Sequence, residues 1–272
     1  MKSLLLKLLY KMSPFTQGNL RCAYYNFVNK VFFLRESAKF SLKRSGAKSY
    51  LLKVGDEEIH IAIPNRVGFY KDGILKRINA LQASFYSDKG ITEGAVIIDI
   101  GANIGEYAIS FPDSVIVHAF EMDPNVMPSL LLNCDPRKNI QIHNMGLWSE
   151  PKTMDMFIMS DSADTSLIDN GASETHSVNC VRLDDVQAIS ELAEITMIKC
   201  DAEGAEPEVL SGAIETLKKT KCVAIDCGPE RGVNSERTDK PVKELLFSLG
   251  FEIVKERFGN REILVARNTV LH

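Results

Sequence analysis

The period of the apolar positions changes along the chain. From Ala95 onward, short runs that are mainly apolar on both faces alternate with segments whose apolar residues recur every three or four places, as in buried strands alternating with helices. The predicted strands are 96–100, 115–120, 140–143, 195–200, 221–226, 251–255 and 262–266, and the predicted helices are 106–111, 125–133, 207–218 and 242–249. Such alternation predicts an α/β fold with a mostly parallel sheet and helices on both faces. Only residues 256–261 join the last two strands, too few for a crossover, so these two form an antiparallel hairpin. Two further strands, 154–159 and 178–182, break the alternation. The polar stretch 160–177 between them is long enough to be a lid or binding loop, or a segment without fixed structure.

Upstream the pattern differs. Residues 50–63 read as a hairpin around Gly55-Asp56 that Pro64 ends. Helical spacing follows over 71–87, and Gly90 and Gly94 then interrupt the chain. The expected division is an extension over 1–93, with a basic helical segment and a hairpin, and a second domain over 94–272.

Composition narrows the class. A chain of 272 residues that is 45% hydrophobic and 25% charged, with a net charge of -4, is neither disordered, collagenous nor a coiled coil. Its six cysteines form no C-x-x-C pair, which excludes a zinc knuckle and a disulfide-stapled domain and favours a reducing, cytoplasmic setting. The charge is uneven: residues 1–45 carry +8 and the remainder -12. The apolar run Leu4–Tyr10 is far shorter than the ~20 residues of a membrane span, and no small-residue cleavage site follows it. Two readings of this arm stay open: peripheral contact with the anionic inner membrane face, or a helical extension packed on the body. The acidic remainder opposes nucleic-acid binding, which counterion release from basic surfaces drives.

Chemistry concentrates in Val96-Ile97-Ile98-Asp99-Ile100-Gly101-Ala102-Asn103-Ile104-Gly105-Glu106-Tyr107, a buried strand that ends in a glycine turn. Ligands of open α/β sheets bind beyond the carboxyl ends of the strands, and Gly101 and Gly105 would let the backbone approach one without an intervening Cβ. A dinucleotide fingerprint requires a third glycine where Asn103 stands, which weakens a pyrophosphate reading. The next strand ends Phe120-Glu121-Met122-Asp123, placing a carboxylate about 20 residues after the first glycine, where it would accept from ribose hydroxyls. A nucleoside ligand without a phosphate bridge fits both features.

Asp99-Ile100-Gly101-Ala102-Asn103-Ile104-Gly105, the connecting Leu183-Asp184-Asp185 and the block from Lys199-Cys200-Asp201-Ala202-Glu203-Gly204-Ala205-Glu206 to Ala213 together resemble the FkbM family of S-adenosylmethionine-dependent methyltransferases, over roughly Gly94 to Ala266. The resemblance implies the class I methyltransferase (Rossmann-like) fold, a seven-stranded sheet with one antiparallel strand. It also implies O-methyl transfer to hydroxyls of saccharides or natural products. Carried over, Gly101, Asn103 and Gly105 would cradle the methionine part of S-adenosyl-L-methionine, with Asp99 and Tyr107 counted among the cofactor positions. Glu121 would hold the ribose, Met122 would pack on the adenine, and Gly146 would leave the ring room.

For the chemistry, a sugar hydroxyl needs a proton acceptor of suitable pKa. Asp201, at the end of the fourth main strand, is the first candidate and Glu203 the second, since burial beside another acid would raise one of them. Lys199 on a buried strand is expected to pair with a carboxylate. Glu206 and Glu208 would serve the following helix at its positive end, and Asp184 and Asp185 either line the site or end a strand. His176 in the polar loop is a lesser base candidate. Asp201, Glu203 and Asp226 could gather around Mg²⁺, but no required metal is expected. Competing readings are an NAD- or nucleotide-sugar-dependent oxidoreductase, against which the missing glycine and the missing Tyr-x-x-x-Lys pair count, and an inactive binding module. An oligomer is left open.

Overall fold

The computed structural model describes residues 18–32, 40–85, 91–159, 165–256 and 261–271. The Leu4–Tyr10 run that carries the membrane reading lies outside them. Among the described residues no helix is long and apolar enough to cross a membrane.

The N-terminal part consists of α1 (Gly18–Phe32), an antiparallel sheet of β1 (Phe40–Arg44), β2 (Tyr50–Val54) and β3 (Glu57–Ile61), a 3-10 turn over Pro64–Tyr70, and α2 (Ile74–Phe85). The expected β2–β3 hairpin forms around Gly55 at φ +63°; β1 is an addition to it.

The central sheet contains β4 (Val96–Ile100), β5 (Ile116–Glu121), β6 (Ile140–Asn144), β10 (Ile195–Cys200), β11 (Thr220–Asp226), β12 (Phe251–Glu256) and β13 (Ile263–Asn268), in the order β12-β13-β11-β10-β4-β5-β6. β13 runs antiparallel to both its neighbours, and the other pairings are parallel. This is the seven-stranded arrangement with one antiparallel strand that the family resemblance implies. The chain leaves β4 toward β5 on one side and β10 lies on the other, so the order reverses at β4 and a crevice opens at its carboxyl end.

Both faces are covered because both are apolar. Ile98, Ile100, Ile198, Val223 and Ile225 pack on one side under α5 (Glu206–Ser211), α6 (Ile214–Lys218) and α7 (Asp239–Ser248). Ile97, Val117, Ala119, Met197 and Ala224 pack on the other against Leu81 and Phe85 of α2 and against α3 (Met127–Cys134). The third core, built on Tyr25, Leu52 and Ile61, takes in Ile104 and Val126. The segment 64–85 is therefore packed into the body on both sides of residue 94, and it supplies one wall of the crevice.

Between β6 and β10 lie β7 (Gly146–Leu147), β8 (Lys152–Ile158), β9 (Glu174–Val181) and the short α4 (Gln187–Ser190), with a β7-β9-β8 sheet. Two expected helices come out differently. Residues 106–111 hold only a 3-10 turn, Ala108–Ser110, and 207–218 divides into α5 and α6. The break falls at Gly212, where a Cβ would lie 2.0 Å from the Trp148 carbonyl oxygen.

Candidate functional site

A hollow of roughly 970 Å³, counted to its open mouth, lies at the carboxyl ends of β4, β5 and β10. The cofactor candidates Gly101, Asn103, Tyr107, Glu121, Met122 and Gly146 line it, as do the catalytic candidates Asp201 and Glu203. Asp99 and Gly105 do not. Asp99 is fully buried behind the turn in an ion pair with Lys199, and Gly105 is needed because a Cβ there would lie 2.5 Å from Cys134 Sγ.

The glycine turn is shaped mainly by its neighbours in the protein. Gly101, at φ +72°, has no room for a Cβ: one would lie 2.0 Å from the carbonyl oxygen of Asp201. The close approach the sequence suggests is thus to the adjacent strand end, not to a ligand. Gly146 likewise abuts Cys180 Sγ. Lys199 sits beside Asp99 in the β10–β4 register, 2.9 Å from its carboxylate, and also donates to the carbonyls of Ile100 and Gly101 at 3.1 and 2.7 Å. Burial works against its ammonium, but Asp99 and Asp201 outweigh that and hold its pKa above the ordinary value. Lys199 therefore ties β10 to the turn and sets the turn's position.

Glu121 organises the opposite side. Its Oε1 accepts from the backbone N–H groups of Met122 and Asp123, and its Oε2 from that of Asn103, all at 2.8 Å. An ionised carboxylate has about four acceptor sites, so one remains on Oε2 for a ligand hydroxyl. Burial pushes the Glu121 carboxyl up, while the backbone N–H groups pull it back. Asn103 and Glu203 are non-glycine residues in the left-handed region, at φ +51° and +50°. Both line the hollow, the setting in which strained backbone is commonly retained for function.

The Lys199–Ala213 block acts as a brace around Asp201. Glu206, almost wholly buried, accepts from the N–H groups of Ala202 and Gly204, and burial pushes its carboxyl up to about 7. Glu208 forms a bidentate pair with Arg231 at 2.7 and 2.8 Å. Asp184 lies away from the hollow, accepting from Glu215 and Thr216 at the start of α6. His176 is on β9 beside Glu174, 3.3 Å away, and does not line the hollow. His118 and His143 contact each other at 3.1 Å, and burial brings His118 down to about 4.

The acid cluster differs from the expected one. Carboxylate oxygens of Asp201, Asp226 and Glu230 lie within 4.8 Å of one another, so Glu230 takes the place given to Glu203. Arg261 already supplies positive charge there, 3.0 Å from Asp201 and 3.5 Å from Asp226. Burial pushes Asp201 up, but Arg261 and Lys199 outweigh it and hold its carboxyl below the ordinary range. The acids that are raised are its neighbours: burial, then Asp201, lifts Asp226 to about 6. Burial, then Asp201, Asp226 and Glu206, lifts Glu230 to about 8 against the pull of Arg261.

These shifts make stability depend on pH. The folded state binds protons that the unfolded chain has released, so the contribution is whole below about pH 4.5 and is lost as pH rises through about 8. The urea midpoint is expected to fall between about pH 5 and pH 8, and Glu230→Gln, neutral throughout, is expected to flatten that fall. Equal falls in both proteins would remove Glu230 from the cluster.

Several lining residues have no counterpart in the motif reading. Arg66, Arg77, Leu81 and Phe85 come from the N-terminal part and Arg261 from the loop just before β13. Thr165 and Leu167 come from the described end of the polar loop, where Thr165 donates to Asp123 and Ser166 to the Glu203 carbonyl. The described part of that loop is thus bound to the site.

A sequence model of the methyltransferase FkbM domain matches residues 99–253, more than half of the chain. The chain is 25% identical over 238 residues to the 2-O-methyltransferase NoeI of Sinorhizobium fredii, covering 79% of this chain and 97% of that protein. It is similar to the crystal structure of methyltransferase FkbM from Methylobacillus flagellatus, with 16% identity and a TM-score of 0.47 over 75% of this chain and 53% of that one. It thus spans about half the length of that protein. Fibrillarin from Aeropyrum pernix, solved with natively bound S-adenosyl-L-methionine, gives 13% identity and a TM-score of 0.43 over 84% and 99% of the two chains.

Proposed function

Because the chain belongs to the FkbM methyltransferase family and is an S-adenosylmethionine-dependent enzyme, we propose that it methylates a hydroxyl of a saccharide or glycan-type acceptor. The observation that carries this is the meeting, in one hollow, of the Gly101–Asn103 turn, Glu121 and the carboxylates of Asp201 and Glu203. The similarity to a protein named as a 2-O-methyltransferase supports oxygen as the acceptor atom.

The residues fit the cofactor. The free acceptor site on Glu121 takes a ribose hydroxyl, the turn from Gly101 to Asn103 borders the methionine part, and Met122 and Gly146 border the adenine. Bound S-adenosylmethionine supplies a methyl group made electrophilic by its sulfonium, so the protein's task is alignment and removal of one proton. Asp201 accepts a hydrogen bond from the acceptor hydroxyl and orients it, with Arg261 fixing the carboxylate. With the cofactor bound, the hydroxyl proton would pass to Asp201 as the methyl–sulfur bond breaks and the oxygen–methyl bond forms, and the neighbouring carboxylate of Asp226, raised to about 6 and so still mostly ionised at neutral pH, is placed to take it on. Glu203, held in the left-handed conformation two residues beyond Asp201, positions the acceptor beside it. The basic N-terminal arm remains our candidate for peripheral contact with an anionic membrane.

The test uses methyl-labelled S-adenosylmethionine and a panel of oligosaccharides, with catechol as a non-saccharide acceptor. Label is expected in a saccharide ether, with Asp201→Asn lowering single-turnover labelling about 100-fold or more, the usual scale of a lost general base. S-adenosylhomocysteine affinity should stay within about threefold of wild type. Label in catechol alone would overturn the saccharide assignment, and near-normal labelling by Asp201→Asn would overturn the role of Asp201.

A further inference from the structure

Four cations line the hollow: Arg66, Arg77, Lys199 and Arg261. Three already have acidic partners, Arg77 with Glu106 at 3.1 Å, Lys199 with Asp99 at 2.9 Å and Arg261 with Asp201 at 3.0 Å. Arg66 has none among the described residues; its guanidinium lies 5.4 Å from the centre of the exposed Phe69 ring. A guanidinium that lines a partly enclosed cavity and holds no salt bridge, although Asp201 feels its charge, is a binding group for an anion, and its planar fork matches a carboxylate.

The position of Arg66 identifies which carboxylate. It stands on the 3-10 turn Pro64–Tyr70, anchored by the buried Pro64, Val67 and Tyr70 and by its own N–H bonded to the Ile63 carbonyl. Arg66 also borders a small side hollow shared with Asn103, Ile104 and Glu106, a space that Met122 and Gly146 do not reach. It is therefore at the glycine-turn end of the site, where the methionine part of the cofactor lies. The one anionic group at that end of the cofactor is the α-carboxylate, and no other lining cation there is free.

We infer that Arg66, from the N-terminal segment outside the matched family domain, binds the α-carboxylate of S-adenosylmethionine. This rests on the cofactor site described above. It gives the N-terminal segment a direct part in the reaction: the turn over Pro64–Tyr70 closes the methionine end of the pocket and reads the amino-acid portion of the cofactor.

The experiment is calorimetric titration of the full chain, Arg66→Ala and Arg66→Gln with S-adenosylhomocysteine and with 5′-methylthioadenosine, which keeps the adenosine and sulfur but lacks the carboxylate. Either substitution is expected to weaken S-adenosylhomocysteine about 10- to 100-fold, the range for losing a charge-assisted pair, and to change 5′-methylthioadenosine by less than about twofold. Equal losses for both ligands would mean that Arg66 only shapes the pocket, and unchanged S-adenosylhomocysteine affinity would mean that the carboxylate is held elsewhere; either result overturns the inference. If the wild-type chain bound neither ligand, the cofactor site itself would fall, and the inference with it.

Discussion

Lys199→Met is expected to cost about 3–5 kcal/mol of folding stability, the usual range when one partner of a buried ion pair is removed. The side chains of Lys199 and Asp99 are 4% and 0% exposed, so methionine would fill the volume and leave a carboxylate without counter-charge in the middle of the sheet. It would also release the carbonyls of Ile100 and Gly101 from the ammonium that holds them. The loss should therefore appear twice, as a lower urea midpoint and as weaker S-adenosylhomocysteine binding by the protein that remains folded. Asp99→Asn in the same background should recover part of the stability, because it removes the stranded charge while keeping the shape. A single-variant loss below about 1 kcal/mol would show that the pair is not the brace described here.

Glu121→Ala is expected to weaken S-adenosylhomocysteine about 10- to 100-fold, since hydrogen bonds to charged groups contribute about 1.5–3 kcal/mol. Two losses combine. The ribose loses its acceptor, and the N–H groups of Asn103, Met122 and Asp123 lose the carboxylate that holds the two strand-end loops in register. Glu121→Gln separates them: an amide keeps one oxygen for the loops but turns a donor toward another N–H, so it should fall between wild type and alanine. Unchanged affinity in Glu121→Ala would take Glu121 out of the site.

The strands of the central sheet were legible because their apolar character on both faces is a property of short local runs, as in Ile195–Cys200. The break in the helix expected over 207–218 depends on distant backbone instead. Nothing within 207–218 shows that the Trp148 carbonyl occupies the space a side chain at 212 would need. The same holds for the glycine turn: its position and sequence were readable, yet the reason for Gly101 is the carbonyl of Asp201, a hundred positions along the chain. Within the acid cluster, Asp201 was visible as a strand-end carboxylate in a motif. Glu230 and Arg261 lie on separate loops with no spacing signal, and it is Arg261 that holds Asp201 ionised. Arg66 and Phe85 reach the pocket only through the packing of the N-terminal segment on the sheet, which no motif records.

The central claim is that the hollow at the end of β4 is an S-adenosylmethionine site. The most direct measurement is a calorimetric titration of the purified chain with S-adenosylhomocysteine, run beside NAD, because it needs no knowledge of the acceptor. The expected result is one site for S-adenosylhomocysteine with affinity in the micromolar range and no heat from NAD. Binding of NAD alone, or of neither ligand, would contradict the account.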